Sequence, residues 1–229
     1  MKRYEILLFD ADNTVLDFTA AEAAALKRVF HTYDIPANDE TISTYAKIND
    51  GLWKMLERGE IEKDRLRYRR FEDFLQHFGY DRPAREIADA YTAALSEECI
   101  LMPGMAELCR RLSARYRMYI VTNGIGSVQR SRWARAEIRD CFLDLFISEE
   151  LGYEKPAREY FDLVAERIPD FDREKALLIG DSLSSDMRGG QNAGIDTCWF
   201  CPSAEAKLPE GLTVTYTVRN AEELYALLG

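Results

Sequence analysis

No stretch of this sequence approaches the roughly 20 apolar residues that a helix needs to cross a bilayer, so no membrane span is expected. Positive charge is also scarce: 30 Lys and Arg face 40 Asp and Glu, giving a net charge of -10 at pH 7. Nucleic-acid polymers and anionic membrane surfaces are bound through clustered positive charge, so neither is an expected partner. A small anionic substrate stays compatible with this balance if its site supplies a local cation. The five cysteines, Cys99, Cys109, Cys141, Cys198 and Cys201, are odd in number and irregularly spaced. That fits reduced thiols in a cytoplasmic protein better than a disulfide framework. Cys198 and Cys201 form a CxxC, but no second Cys or His pair lies nearby, so strand and turn thiols are expected rather than zinc ligands. The short apolar run in MKRYEILLFDAD meets acids at once and does not read as a signal peptide. Internal repeats and low-complexity linkers are absent too.

What is present is a chain able to bury a core, with 47% hydrophobic residues among 229. Short apolar runs at 4–9, 118–121, 145–147, 176–179 and 197–200, with a weaker one at 214–217, predict strands. Their nearly unbroken apolar character predicts burial on both faces, as in a parallel sheet. Helical patterns at 104–115, 127–136, 157–167, 185–193 and 220–228 alternate with them. The alternation predicts an α/β, doubly wound, Rossmann-like core. Residues 17–98 break it. Helix-like stretches at 20–33, 40–57, 61–78 and 84–98 contain no convincing strand, and Phe71, Phe74, Leu75 and Phe78 fall at helical spacing. An inserted α-helical cap over 17–98 is expected, with the core made of 1–16 and 99–229.

In open parallel sheets, ligands bind beyond the carboxyl ends of the strands. The first run ends in Asp10-Ala11-Asp12-Asn13-Thr14, and on a strand residues i and i+2 point the same way. Two carboxylates crowded there repel unless a cation or a reaction occupies the spot. The second run ends in Thr122-Asn123-Gly124, the third leads shortly to Lys155-Pro156, and the fourth ends in Asp181-Ser182 followed by Asp186. Acids, a hydroxyl and an ammonium are thus expected at one sheet edge.

The ordered set DxDNT, TNG, KP and GDSxxxD, over residues 6–190, resembles the signature of the haloacid dehalogenase superfamily of phosphotransferases. The resemblance implies that Asp10 is a nucleophile forming an aspartyl-phosphate and that Asp12 is the general acid and base. It implies Mg2+ held by Asp10, Asp181 and the Asp12 backbone carbonyl, with Asp186 orienting a ligand or a metal-bound water. Thr122 and the Asn123 backbone N–H would hold phosphoryl oxygens, Lys155 would offset the charge shared by Asp10 and phosphate, and Thr14 would fix the motif loop. The second acid, Asp12, separates this chain from the carbon–halogen cleaving members, which lack one there.

Further segments, INDGLW at 48–53, RFEDF at 70–74, CILMPG at 99–104, ISEELGYEKP at 147–156 and AGIDTCW at 193–199, resemble bacterial pyrimidine 5'-nucleotidases that also act on noncanonical nucleotides. Tyr153 and Glu154 depart from the smaller residues common there. The likeness implies a nucleoside monophosphate as the small phosphorylated partner. Asn49 could then hydrogen-bond a base or sugar and Trp53 stack on one, although helix packing and capping is the expected role of both. Arg65, Arg67, Arg69 and Arg70 are expected on a solvated helix face among Glu62, Asp64, Glu72 and Asp73. Phosphoglycolate or sugar-phosphate phosphatases, phosphomutases, and receiver-like domains switched by phosphorylation are the other classes these motifs allow. Monomer and dimer are both open.

Overall fold

The structure, a computed structural model, describes residues 4–201 and 207–229. The chain divides into two units, one built from Met1–Phe18 and Cys99–Gly229, the other from Thr19–Glu98.

The first unit holds a six-stranded sheet: β1 (Ile6–Phe9), β2 (Arg117–Thr122), β3 (Asp144–Ile147), β4 (Ala176–Gly180), β5 (Asp196–Phe200) and β6 (Tyr216–Val218). Its order is β3-β2-β1-β4-β5-β6, and every pairing is parallel. A parallel neighbour can be reached only by a crossover, which is why helices separate the strands. The helices introduced here are numbered along the whole chain: α1 (Phe18–Thr32), α2 (Asp39–Glu57), α3 (Lys63–Phe78), α4 (Ala84–Glu97), α5 (Met105–Ser113), α6 (Gly126–Arg135), α7 (Ser148–Leu151), α8 (Arg158–Arg167), α9 (Arg188–Ala193) and α10 (Ala221–Leu228).

The two faces of the sheet carry separate cores, because successive side chains of a strand point opposite ways. Leu7, Phe9, Met118, Ile120, Leu177 and Ile179 pack with Met105, Leu108 and Leu112 of α5 and Leu224 and Leu228 of α10. Ile6, Leu8, Tyr119, Val121 and Leu178 pack with Tyr160, Phe161 and Val164 of α8 on the other face. Burial on both sides is what makes each strand read as a continuous apolar run.

Three local expectations are corrected. The last strand lies at Tyr216–Val218, two residues beyond its expected start at 214, because Val214 packs instead with Met187, Trp199 and Leu212. The first strand begins at Ile6 rather than Tyr4, whose hydroxyl donates to Asp196 at 2.7 Å. The helix expected over 185–193 opens as a wide π-type turn, Leu183–Met187, before α9.

The second unit is helical. α2 opens with a capping box in which Asn38 accepts from the Thr41 N–H and Thr41 reaches back to the Asn38 N–H. α3 stops at Gly79 with φ 68, a left-handed closure that glycine adopts without strain. The aromatic stripe of α3 is core packing: Phe74 stacks on Phe30 with ring centroids 4.9 Å apart, and Phe71 meets Tyr45 and Tyr91.

Candidate active site

Register aligns the strand ends. Phe9 is paired with Ile120 of β2 and with Ile179 of β4, so Asp10, Thr122 and Asp181 leave the sheet along one edge. The Asp10 N–H stays tied to the Ile179 carbonyl at 2.8 Å, which holds the loop after β1 against β4.

Lys155 brings the carboxylates together. Its Nζ donates to Asp10 Oδ1 at 2.6 Å, to Asp186 Oδ1 at 2.6 Å and to the Val121 carbonyl at 2.9 Å, which uses all three ammonium protons. The side chain is 1% exposed. Asn123 secures the backbone beneath it: its Nδ2 donates to the Lys155 carbonyl at 2.8 Å and its Oδ1 accepts from the Lys155 N–H at 2.9 Å. Asp186, wholly buried, accepts a second bond from the Ser182 N–H at 3.1 Å. Gly180 leaves it room, since a Cβ there would come within 2.3 Å of Asp186 Oδ2. Thr122 Oγ1 accepts from the Gly124 N–H at 3.0 Å, so its own proton is available for an acceptor.

Oxygens of Asp10, Asp181 and Asp186 lie within 4.8 Å of one another. Three carboxylates against one ammonium leave a local charge of −2 when all are ionised, and hard oxygen donors suit a small divalent cation. The donor set therefore fits a metal of that kind.

Asp12 is held by two residues that the motif reading passed over. Gln129 Nε2 donates to Asp12 Oδ2 at 2.5 Å and Arg132 donates to Asp12 Oδ1 at 2.5 Å. Both lie three residues apart on one face of α6. The faint signal was a Gln and an Arg at that spacing directly after the TNG turn. Thr14 is buried, but among the described residues its hydroxyl has no hydrogen-bond partner. The motif loop is closed instead by the Val15 and Leu16 N–H groups, both on the Ala11 carbonyl.

Residues 4–194 match the haloacid dehalogenase-like hydrolase family. The chain belongs to that family. It is 42% identical to the HAD-hydrolase YfnB of Bacillus subtilis over 228 residues, covering 100% of this chain and 97% of YfnB. It is 38% identical to the pyrimidine 5'-nucleotidase PynA of Streptococcus pneumoniae, covering 87% of this chain and 84% of PynA. It is 34% identical to the pyrimidine 5'-nucleotidase YjjG of Escherichia coli, covering 99% and 98%. The crystal structure of YfnB bound to magnesium, described as revealing interdomain movement, superposes with a TM-score of 0.94 over all of both chains.

In this hydrolase, burial pushes the Asp10 carboxyl well above the usual carboxylate range; Lys155 pulls it down, while Asp186, Asp181 and Asp12 add to the rise. Burial and then Asp186 push Asp181 up to about 7, again against Lys155. Burial works against the charge on Lys155, but Asp10 and Asp186 outweigh it and hold the ammonium above the ordinary lysine range. Lys155 is thus the fixed cation, and the remaining carboxylate repulsion is what a further cation would relieve.

Asn49 and Trp53 belong to the helical unit. Asn49 is 3% exposed; its Nδ2 donates to Glu22 Oε1 at 2.9 Å and its Oδ1 accepts from Arg70 at 3.2 Å. Trp53 is half-buried beside Leu52, Leu56 and Leu66. Arg65 and Arg69 do pair on the surface, with Glu72 and Asp73. Arg70 departs from the expected solvated face: it is 1% exposed, with its guanidinium 4.8 Å from the Tyr91 ring centroid. Cys99, Cys109, Cys141 and Cys198 are free thiols, and no helix among the described residues is long and apolar enough to cross a membrane.

Proposed function

We propose that this hydrolase is a magnesium-dependent phosphomonoesterase that removes phosphate from nucleoside 5'-monophosphates, pyrimidine nucleotides first, through an aspartyl-phosphate on Asp10. The observation that carries the reading is a buried ammonium, Lys155, bridging Asp10 and Asp186 within a cluster of three acids. An acid so placed is an acceptor for a phosphoryl group once its charge is offset. The names of PynA and YjjG support the nucleotide class.

In this mechanism an oxygen of Asp10 attacks phosphorus in line with the ester oxygen, and the P–O ester bond breaks. Asp12 gives its proton to the departing alkoxide, which leaves as a nucleoside hydroxyl. Asp12, now ionised, takes a proton from a water that attacks the aspartyl-phosphate; the bond from phosphorus to Asp10 breaks and inorganic phosphate leaves. Thr122 donates its hydroxyl proton to one phosphoryl oxygen and the Asn123 N–H serves another. Lys155 balances negative charge on Asp10 throughout. Asp10, Asp181, the Asp12 carbonyl and, by orientation, Asp186 would hold Mg2+, which when bound supplies positive charge to the phosphoryl oxygens.

In the helical unit, the part-exposed Trp53 is the candidate for stacking on the base. The Asn49 amide is engaged by Glu22 and Arg70, so its proposed part is to tie α1, α2 and α3 together.

The test is phosphate release with Mg2+ from UMP, dUMP, dTMP, purine monophosphates, phosphoglycolate and hexose phosphates. Pyrimidine nucleotides should lead in kcat/KM, and Asp10→Asn should abolish turnover. A panel led by phosphoglycolate or a hexose phosphate sinks the nucleotidase assignment. A phosphorylated form lasting minutes to hours would instead mark a signalling domain.

A further inference from the structure

We infer that Gln129, Arg132 and Gly124 form a positioning device for the general acid, built so that Asp12 is held in one orientation for proton transfer to a poor leaving group. The inference rests on the phosphomonoesterase reading above, in which Asp12 supplies that proton.

The geometry has three parts. Arg132 is wholly buried on α6, its guanidinium 5.9 Å from the Phe18 ring centroid, and it donates to Asp12 Oδ1 at 2.5 Å. Gln129, 3% exposed, donates to Asp12 Oδ2 at 2.5 Å. One bond to each oxygen fixes both the position and the plane of the carboxylate. Each oxygen has further lone-pair capacity, so a proton can still be carried at the edge where Asp12 remains 25% exposed.

The third part is Gly124. A Cβ at this position would lie 2.1 Å from Gln129 Nε2 and 2.8 Å from both Gln129 Cγ and Cδ. The absence of a side chain at the TNG glycine is what lets Gln129 pass over the turn and reach Asp12. Its φ is not in the left-handed region, so conformational freedom does not account for glycine here; clearance does. The obstructed atoms are the far end of a flexible side chain, so an alanine would displace Gln129 rather than the backbone.

A proton from Asp12 matters in proportion to how badly the leaving group needs one. A nucleoside alkoxide departs only when protonated, whereas p-nitrophenolate is a stable anion that departs without it. Disorienting the acid should therefore slow the first half-reaction, release of the leaving group, for UMP and spare it for p-nitrophenyl phosphate. The second half-reaction, in which Asp12 serves as base, is common to both esters. Loss of a positioned acid costs on the order of 10²-fold or more in rate.

The experiment compares the single-turnover rate of leaving-group release, and KM, on both esters, with saturating Mg2+, for the unaltered protein, Gln129→Met, Gly124→Ala, Arg132→Met and Arg132→Lys. The first two variants break the Asp12 bond without removing a buried charge, so they remain informative if the Arg132 variants do not fold. Gln129→Met and Gly124→Ala should each cut the single-turnover rate of uridine release from UMP by about 10²-fold while release of p-nitrophenolate changes by no more than a few-fold and KM stays near its original value. Arg132→Lys should recover part of what Arg132→Met loses. Equal losses on both esters, or no loss on either, overturn the inference. Asp10→Asn is the separate control: it should remove both activities whatever the leaving group. An unaltered protein that hydrolyses neither ester would remove the phosphatase reading and the positioning role together.

Discussion

Lys155 Nζ sits 2.6 Å from Asp10 Oδ1, and the side chain that carries it is 1% exposed. A buried ammonium in that position persists only because Asp10 and Asp186 both face it. The pair thus links the stability of the first unit to the charge on the residue proposed as nucleophile.

Lys155→Met should remove both functions at once. Turnover of phosphate esters is expected to fall on the order of 10²–10³-fold, as when a charge-stabilising donor is deleted. Breaking a buried pair from one side also costs about 3–5 kcal/mol in the metal-free protein. Phosphate release and denaturant unfolding measure the two effects; an unchanged unfolding midpoint contradicts the network.

Divalent cations should stabilise the folded state, since Asp10, Asp181 and Asp186 converge with a single ammonium among them. Mg2+ at about 100 times its dissociation constant should add ~2.7 kcal/mol, and a chelator should take it away. Asp181→Asn is expected to raise the melting temperature of the metal-free protein and to shrink the Mg2+-induced rise. Differential scanning calorimetry with and without Mg2+ reads both. A variant that gains as much from Mg2+ as the parent would exclude Asp181 as a ligand.

Asn49 carries a structural load in the helical unit. Replacing it by Ala strips one bond each from Glu22 Oε1 and Arg70, both buried. Deleting one partner of a buried polar pair costs about 1–3 kcal/mol, so thermal unfolding of Asn49→Ala should shift down by several degrees. A large rise in KM for UMP with an unmoved melting curve would assign Asn49 to substrate instead.

The thiols supply a pH test. Burial pushes Cys109 and Cys198 from an ordinary value near 9.0 up to about 12. The unfolded chain therefore loses these protons at lower pH than the folded one. Their contribution to stability is complete below about 9.0 and drains away as pH rises towards 12. At pH 8 neither thiol should react with a thiol-specific reagent until the protein unfolds; rapid labelling of Cys109 or Cys198 in the folded state would refute their burial.

The chain's local pattern by itself determined the alternation of strands and helices, the helical insertion, and the residues at the strand ends. Strands covered on both faces must be apolar throughout, and a parallel sheet must deliver its strand ends to one edge, so periodicity and residue order were enough to place Asp10, Thr122 and Asp181 at that edge. Tertiary structure alone decided what the other polar groups are for. Asp12 meets Gln129 and Arg132 across 117 and 120 residues, and α6 carries Arg130, Arg132 and Arg135, which look alike until one of them is buried. Arg70 likewise stands in a run of surface arginines and is nevertheless interior. Gly124 resembles any turn glycine until Gln129 is seen crossing it. Burial and pairing over such separations depend on how helices dock on the sheet or on each other, and the spacing of residues along one segment carries no trace of that.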